Sequence, residues 1–111
     1  LAALAGFSIH AYAVFAVSVH ENHLAGAIPF LALASAAERR FAPVLAAVSA
    51  IVAINVNVFY GLGVGVGWAL PRTIGAVDVM VVLAVANVAA FAWHAAVAFT
   101  PRASRARPLP V

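Results

Sequence analysis

Polar side chains interrupt this chain at only a few places, and the interruptions divide it into four long apolar segments. The first, 1–19, is apolar apart from Ser8, His10, Tyr12 and Ser18, and His20-Glu21-Asn22-His23 closes it. The second covers 23–37, with His23 as its polar start and Glu38-Arg39-Arg40 at its end. Pro43 suits the first turn of a third segment over 43–60, where Asn55 and Asn57 are the strongly polar members. The fourth, 73–99, carries Asp78, Asn87 and His94 and is stopped by Pro101. Each segment is apolar on every face, which predicts helices that lipid surrounds.

Length separates the four. Nineteen residues of helix rise roughly 28 Å, close to one hydrocarbon thickness. The second segment reaches only ~24 Å even with Asn22 and His23 counted in. It spans if its polar start sits in a hydrated, protein-lined cavity, and Pro29 in its second turn predicts a kink. Between the third and fourth segments, Gly61 to Gly67 alternates glycine with apolar residues before Trp68-Ala69-Leu70-Pro71-Arg72. Alternating glycine is poor in helix, and tryptophan suits the headgroup level, so this stretch reads as an interfacial loop.

Composition sharpens the class. Hydrophobic residues make up 67% of the chain, charged residues 8%, and the mean hydropathy is +1.11. Six basic and three acidic side chains cannot cover the surface of a soluble domain of this size. The expected fold is therefore all-α, a polytopic transmembrane helix bundle of about four spans, with a basic tail at 102–111. The start at Leu1, inside an apolar run, predicts the C-terminal part of a longer bundle. Cysteine is absent, which removes disulfides and thiol chemistry from consideration.

Arginine placement sets the expected orientation. With four crossings, Arg39, Arg40, Arg102, Arg105 and Arg107 share one side, and Arg72 alone falls on the other. The positive-inside rule puts the five in the cytoplasm, with the C-terminus, in a multi-pass plasma-membrane protein. The His20–His23 step and Arg72 then face the extracytoplasmic side. The basic tail reads as an anchor at anionic lipid headgroups rather than a nucleic-acid arm.

Four features carry chemistry, each beside a plainer reading. Three ionisable groups in His20, Glu21 and His23, at the mouth of a membrane helix, suggest a site or pathway; otherwise they form a wetted loop. The pattern lacks the His-Glu-x-x-His of a zinc protease, and no metal site is expected. Asp78 either complements the N-terminus of the fourth helix or partners Arg72 or a polar substrate group. Asn87 and His94 lie seven apart on one face and are expected to bond to neighbouring helices, as are Asn55 and Asn57. Bis-histidine haem ligation needs matched depths. His10, counted to mid-bilayer, and His94, counted toward the cytoplasmic end, do not provide them.

One stretch resembles a known family. Phe15-Ala16-Val17-Ser18-Val19-His20-Glu21-Asn22-His23-Leu24, followed by Ile28-Pro29-Phe30-Leu31-Ala32-Leu33, is similar to a late segment of GT-C membrane glycosyltransferases. Among them it looks like the dolichyl-phosphate-glucose glucosyltransferases and the bacterial multispanning mannosyltransferase-like proteins. The match covers about twenty of the 111 residues. It departs at Asn22-His23, where the eukaryotic enzymes usually carry a lysine after the acid. The resemblance implies transfer of a hexose from a polyprenyl-phosphate sugar to a glycan or lipid-linked acceptor on the extracytoplasmic face, without a cofactor. On that reading His20 contacts the donor phosphate and Glu21 orients His20 or the sugar hydroxyls, and the catalytic base lies in a loop upstream of Leu1. His23, Arg72 and Asp78 are further substrate-contact candidates, Arg72 on the strength of its side of the membrane and its singularity alone. The competing expectation is a transporter or channel segment, with His20, Glu21, Asp78 and His94 as a proton or ion route.

Overall fold

The structure, a computed structural model, describes residues 1–16, 21–60 and 73–101. The glycine-alternating stretch, residues 17–20 and the basic tail lie outside the described residues. Four α-helices carry the fold: α1 (Ala2–Phe15), α2 (Ala27–Ala37), α3 (Ala42–Tyr60) and α4 (Val79–Phe99). Short 3₁₀ helices, Glu21–Gly26 of two turns and Arg39–Phe41 of one, lead into α2 and α3. The helices pack in a ring, α1 on α2, α2 on α3, α3 on α4 and α4 back on α1. The all-α expectation is met.

One spacing explains the ring. Buried positions recur three and four residues apart: Leu24, Ala27, Leu31 and Ala34 into and along α2; Phe41, Val44, Val48 and Ile51 into and along α3. On α4 the same rhythm gives Leu83, Ala90 and His94, and on α1 it gives Gly6 and His10. Such a spacing forms one narrow seam per helix, the geometry of near-parallel bundle packing. At Gly6 the absence of a side chain lets the helices close up. A Cβ there would meet Phe30 Cβ at 3.3 Å and Leu31 Cγ at 3.5 Å.

Several boundaries differ from the sequence expectation, each for a local reason. The first helix stops at Phe15, and Ala16 turns extended with its N–H still bonded to the Tyr12 carbonyl. The second segment opens as a 3₁₀ turn, so α2 begins only at Ala27. Pro29 therefore lies in its first turn, where a missing N–H removes no interior helical bond. The fourth segment does not start as helix. Thr73–Ile74 and Val77–Asp78 form a two-stranded antiparallel hairpin, Thr73 opposite Asp78 and Ile74 opposite Val77. Gly75 makes that reversal possible, with φ +61° at the first position of a two-residue turn.

Asp78 ends the hairpin and begins α4. Its Oδ1 accepts from the Met80 N–H at 2.8 Å, the N-cap bond that satisfies one free donor of the helix start. Asp78→Ala is expected to lower stability by about 1 kcal/mol. Asp78→Asn, which keeps a capping oxygen, should restore most of that, and chemical denaturation of the two variants checks it. If Asp78 also holds substrate through its charge, the Asn variant keeps stability and loses affinity.

The outside of the bundle is as apolar as the inside. Val81, Val82, Val85, Val88, Trp93 and Phe99 are exposed on α4 alone, joined by Leu4 and Phe15 on α1 and Leu33 on α2. Two helices, Arg39–Asn57 with its 3₁₀ entry and Val79–Phe99, are long and apolar enough to cross a membrane. Only 17% of the α4 window is buried, the reverse of a core helix in a soluble domain. The helices α1 and α2 are shorter, 14 and 11 residues.

Candidate functional site

Polar groups inside an apolar bundle are few, and three of them meet. His10 on α1 and His94 on α4 are both fully buried, at 0% exposure, with their Nδ1 atoms 3.2 Å apart. His10 Nε2 lies 3.0 Å from Asn87 Oδ1, about two helical turns from His94 on the same α4 face. An amide oxygen only accepts, so His10 Nε2 carries the proton. In the neutral ring its Nδ1 is then the acceptor, and His94 Nδ1–H donates to it. His94 Nε2 is left as a buried lone pair without a hydrogen-bond partner. Aromatic rings wall it in: Phe7 at 5.4 Å and Phe41 at 6.2 Å between centroids, both edge-on.

This pairing corrects the depth argument drawn from the sequence. Counting residues judged each histidine only within its own segment. In the bundle Phe7 stacks against Phe91 and meets Phe99 edge-on at 5.1 Å, and Phe15 also meets Phe91, so α1 runs beside the second half of α4. That placement brings His10 level with His94. The two rings form a hydrogen-bonded dyad, not the separated, facing pair that a haem iron takes.

Beyond Asn87 the bundle encloses a cavity of about 200 Å³. Val14 of α1, Leu24 of the first 3₁₀ turn, Ile51 and Asn55 of α3, and Leu83 and Asn87 of α4 are among its walls. It lies toward the end where α1 finishes, the Glu21–Gly26 turn begins and α4 starts. Asn55 is 5% exposed, and its Oδ1 has no hydrogen-bond partner. Asn57 Nδ2 donates to the Ala53 carbonyl of its own helix at 2.6 Å. The expectation that both asparagines bond across helices is thus corrected. Asn55 faces the interior, and Asn57, two residues on, points away and turns back on its own backbone.

The sequence-derived candidates are distributed unevenly around this site. His20 and Arg72 lie outside the described residues. Glu21 opens the 3₁₀ turn that roofs this end of the bundle. His23, in the same turn, is exposed, with its ring 6.4 Å from that of Tyr12 and edge-on to it. Asp78 caps α4 at the same end. At the opposite end Arg40 bonds Glu38 at 2.8 Å and donates to the Thr100 carbonyl at 2.9 Å, tying the α3 entry to the α4 exit. Among the described residues no three His, Cys, Asp or Glu side chains converge on a point that suits a metal ion.

As the spacing predicts, Asn87 and His94 share a face and both bond to a neighbouring helix, through His10; the residues not brought to this site from the sequence are His10 and Asn55. Their signal was present: each falls on its helix's three-four seam, so each had to point inward. The chain is thus an all-α helical bundle with a lipid-compatible exterior, a buried histidine dyad and a small polar-lined cavity. Comparison with family models, with curated proteins and with solved structures finds no match.

Proposed function

We propose that the chain is a membrane-embedded helix bundle, the donor-binding portion of a GT-C-type glycosyltransferase that uses a polyprenyl-phosphate sugar. The observation that carries this reading is the His20–His23 step. Its described ionisable members, Glu21 and His23, lie in a 3₁₀ helix at one end of an apolar bundle, the end that also holds the cavity and Asp78. The exposed apolar surface of α4 supports the membrane setting, because water would not tolerate that many uncovered valines. For the second crossing, the Glu21–Gly26 helix and α2 together rise about 28 Å. In the proposed orientation Arg39, Arg40 and the tail are cytoplasmic, and the His-Glu turn opens to the other side.

In this reaction an acceptor hydroxyl attacks the anomeric carbon, the bond from that carbon to the phosphate oxygen breaks, and the lipid phosphate leaves. Negative charge grows on the phosphate oxygens, so His20 and Arg72 act as donors to them. Glu21 orients His20 or accepts from sugar hydroxyls, and His23 and Asp78 border the entry. The base that takes the hydroxyl proton comes from elsewhere in the full-length protein. The full-length protein with a purified polyprenyl-phosphate hexose should transfer sugar to acceptor. His20→Ala should reduce turnover at least ~100-fold, the scale seen when one stabilising donor is removed. Wild-type turnover in that variant would remove His20 from the mechanism.

A second reading is a proton or ion route, and the Asn87–His10–His94 chain is the observation in its favour. Buried ionisable residues in membrane helices commonly mark such routes. Proteoliposomes carrying a trapped pH dye separate the two. A route gives a proton flux that His94→Leu removes, whereas a transferase gives none.

A further inference from the structure

The cavity between α1, α3 and α4 has a chemistry of its own, apart from the His-Glu turn. Among the described residues that line it, none is charged, and the polar ones are Asn55 and Asn87. Asn87 has its oxygen committed to His10 at 3.0 Å, so its amide nitrogen is the group left to donate. The histidine pair behind it fixes that polarity, since His10 must keep its proton on Nε2. Asn55 has an oxygen with no partner, and rotation about its terminal torsion turns that acceptor toward the cavity at little cost. The cavity is thus bordered by one amide donor and, after that rotation, by one unspent acceptor in an otherwise apolar lining.

A hydroxyl group, which both donates and accepts, satisfies the two together. A carboxylate, phosphate or ammonium would be buried here with no opposite charge, which is strongly unfavourable. Size narrows the ligand further. About 200 Å³ holds roughly the volume of seven waters, enough for a head group but not for a whole lipid. Val88 lines the cavity and is also exposed on the outer face of α4, next to exposed Val81 and Val85, so the rim continues into the apolar exterior.

We infer that this cavity binds the uncharged hydroxyl-bearing head of an amphiphile, held between Asn55 and Asn87, with its apolar chain leaving past Val88. The site does not depend on the transferase reading, because binding is measured without turnover. Either a long-chain alcohol or a glycosylated lipid supplies this chemistry.

The test uses the full-length protein in lipid nanodiscs and four photoreactive probes with one common sixteen-carbon chain (about a lipid tail in length): an alcohol, its glucoside, its phosphate and its methyl ether. The alcohol or the glucoside should crosslink to the cavity walls around Leu83 and Val88, and the stronger of the two identifies the source. The phosphate and the methyl ether should label weakly, the first for its charge and the second for its missing donor. Asn55→Leu should lower labelling by roughly tenfold, the loss of one hydrogen bond in a buried site. The same variant should keep or raise the melting temperature, because an unpaired buried amide has gone. Asn87→Leu should lower labelling similarly. Equal labelling by phosphate or ether in the wild type, which needs no variant to fold, would overturn the assignment. So would unchanged labelling in a folded Asn55→Leu protein.

Discussion

Phe41→Ala is expected to lower the unfolding free energy by about 3–5 kcal/mol, the largest effect of any single substitution proposed for this bundle. Phe41 is 1% exposed and is the largest of the fully buried side chains. It sits where the second 3₁₀ turn becomes α3 and begins the α3 seam that continues through Val44 and Val48. Its ring meets His94 edge-on on one side, and the Arg40 guanidinium lies 5.2 Å from its centroid on another. Truncation removes the packing of a whole ring and leaves a void that neighbouring helices cannot fill without moving. Inside lipid this term survives, because helix association there rests on van der Waals packing rather than on escape from water. Denaturation in mixed micelles measures it. Phe41→Leu should cost less than half as much, since much of the volume remains.

The second large effect lies in the histidine dyad. His10→Leu and His94→Leu should each destabilise by about 2 kcal/mol, because each strands a buried partner without its hydrogen bond. The double variant should cost clearly less than the sum, since replacing both partners by apolar groups removes the stranded atoms as well. A double-mutant cycle thus reads a coupling of about 1–2 kcal/mol. Additive losses would mean that the 3.2 Å contact between the two Nδ1 atoms contributes nothing to stability. Asn87→Leu combined with His10→Leu should show a smaller coupling, because Asn87 is only partly buried and retains the cavity side.

How much of this was legible in the sequence depends on which contrast each feature used. The helices were legible because polar and proline positions mark their ends: Pro43 does start the third helix, and Pro101 does follow the fourth. The facing of the helices was not, because side chains are apolar all round and hydropathy cannot tell lipid from core. Only the rare polar residues break that degeneracy. The spacing of Asn87 and His94 did give their shared inward face, while His10 and Asn55 share the phase of Gly6 and Ile51, and reading that phase would have turned them inward as well. The hairpin before α4 was hidden because its inner residues, Ile74 to Val77, are as apolar as the helix that follows. Gly75 is the one residue that announces the reversal, through a backbone conformation that other residues rarely adopt.

The helix offset was harder to see. Residue counts give depth only within one segment, and nothing in the composition of α1 says that it packs along the second half of α4. Three aromatic contacts, from Phe7 to Phe91 and Phe99 and from Phe15 to Phe91, set that register in the fold. The sequence shows the rings but not which rings meet. For the His-Glu step, residue types point to chemistry, and of its ionisable residues the fold describes only Glu21 and His23, in the 3₁₀ helix at one end of the bundle.

The central claim is that this apolar surface lies in lipid, with the Glu21–Gly26 turn and the Gly75 hairpin on one face and the Arg39–Phe41 turn on the other. Because these 111 residues hold no cysteine, single reporters read out cleanly. In intact cells expressing the full-length protein, a membrane-impermeant maleimide should label His23→Cys and Gly75→Cys. It should label Arg39→Cys only after permeabilisation, and Val85→Cys under neither condition. Labelling of Val85→Cys from water, or of His23→Cys and Arg39→Cys from the same side, would contradict the account.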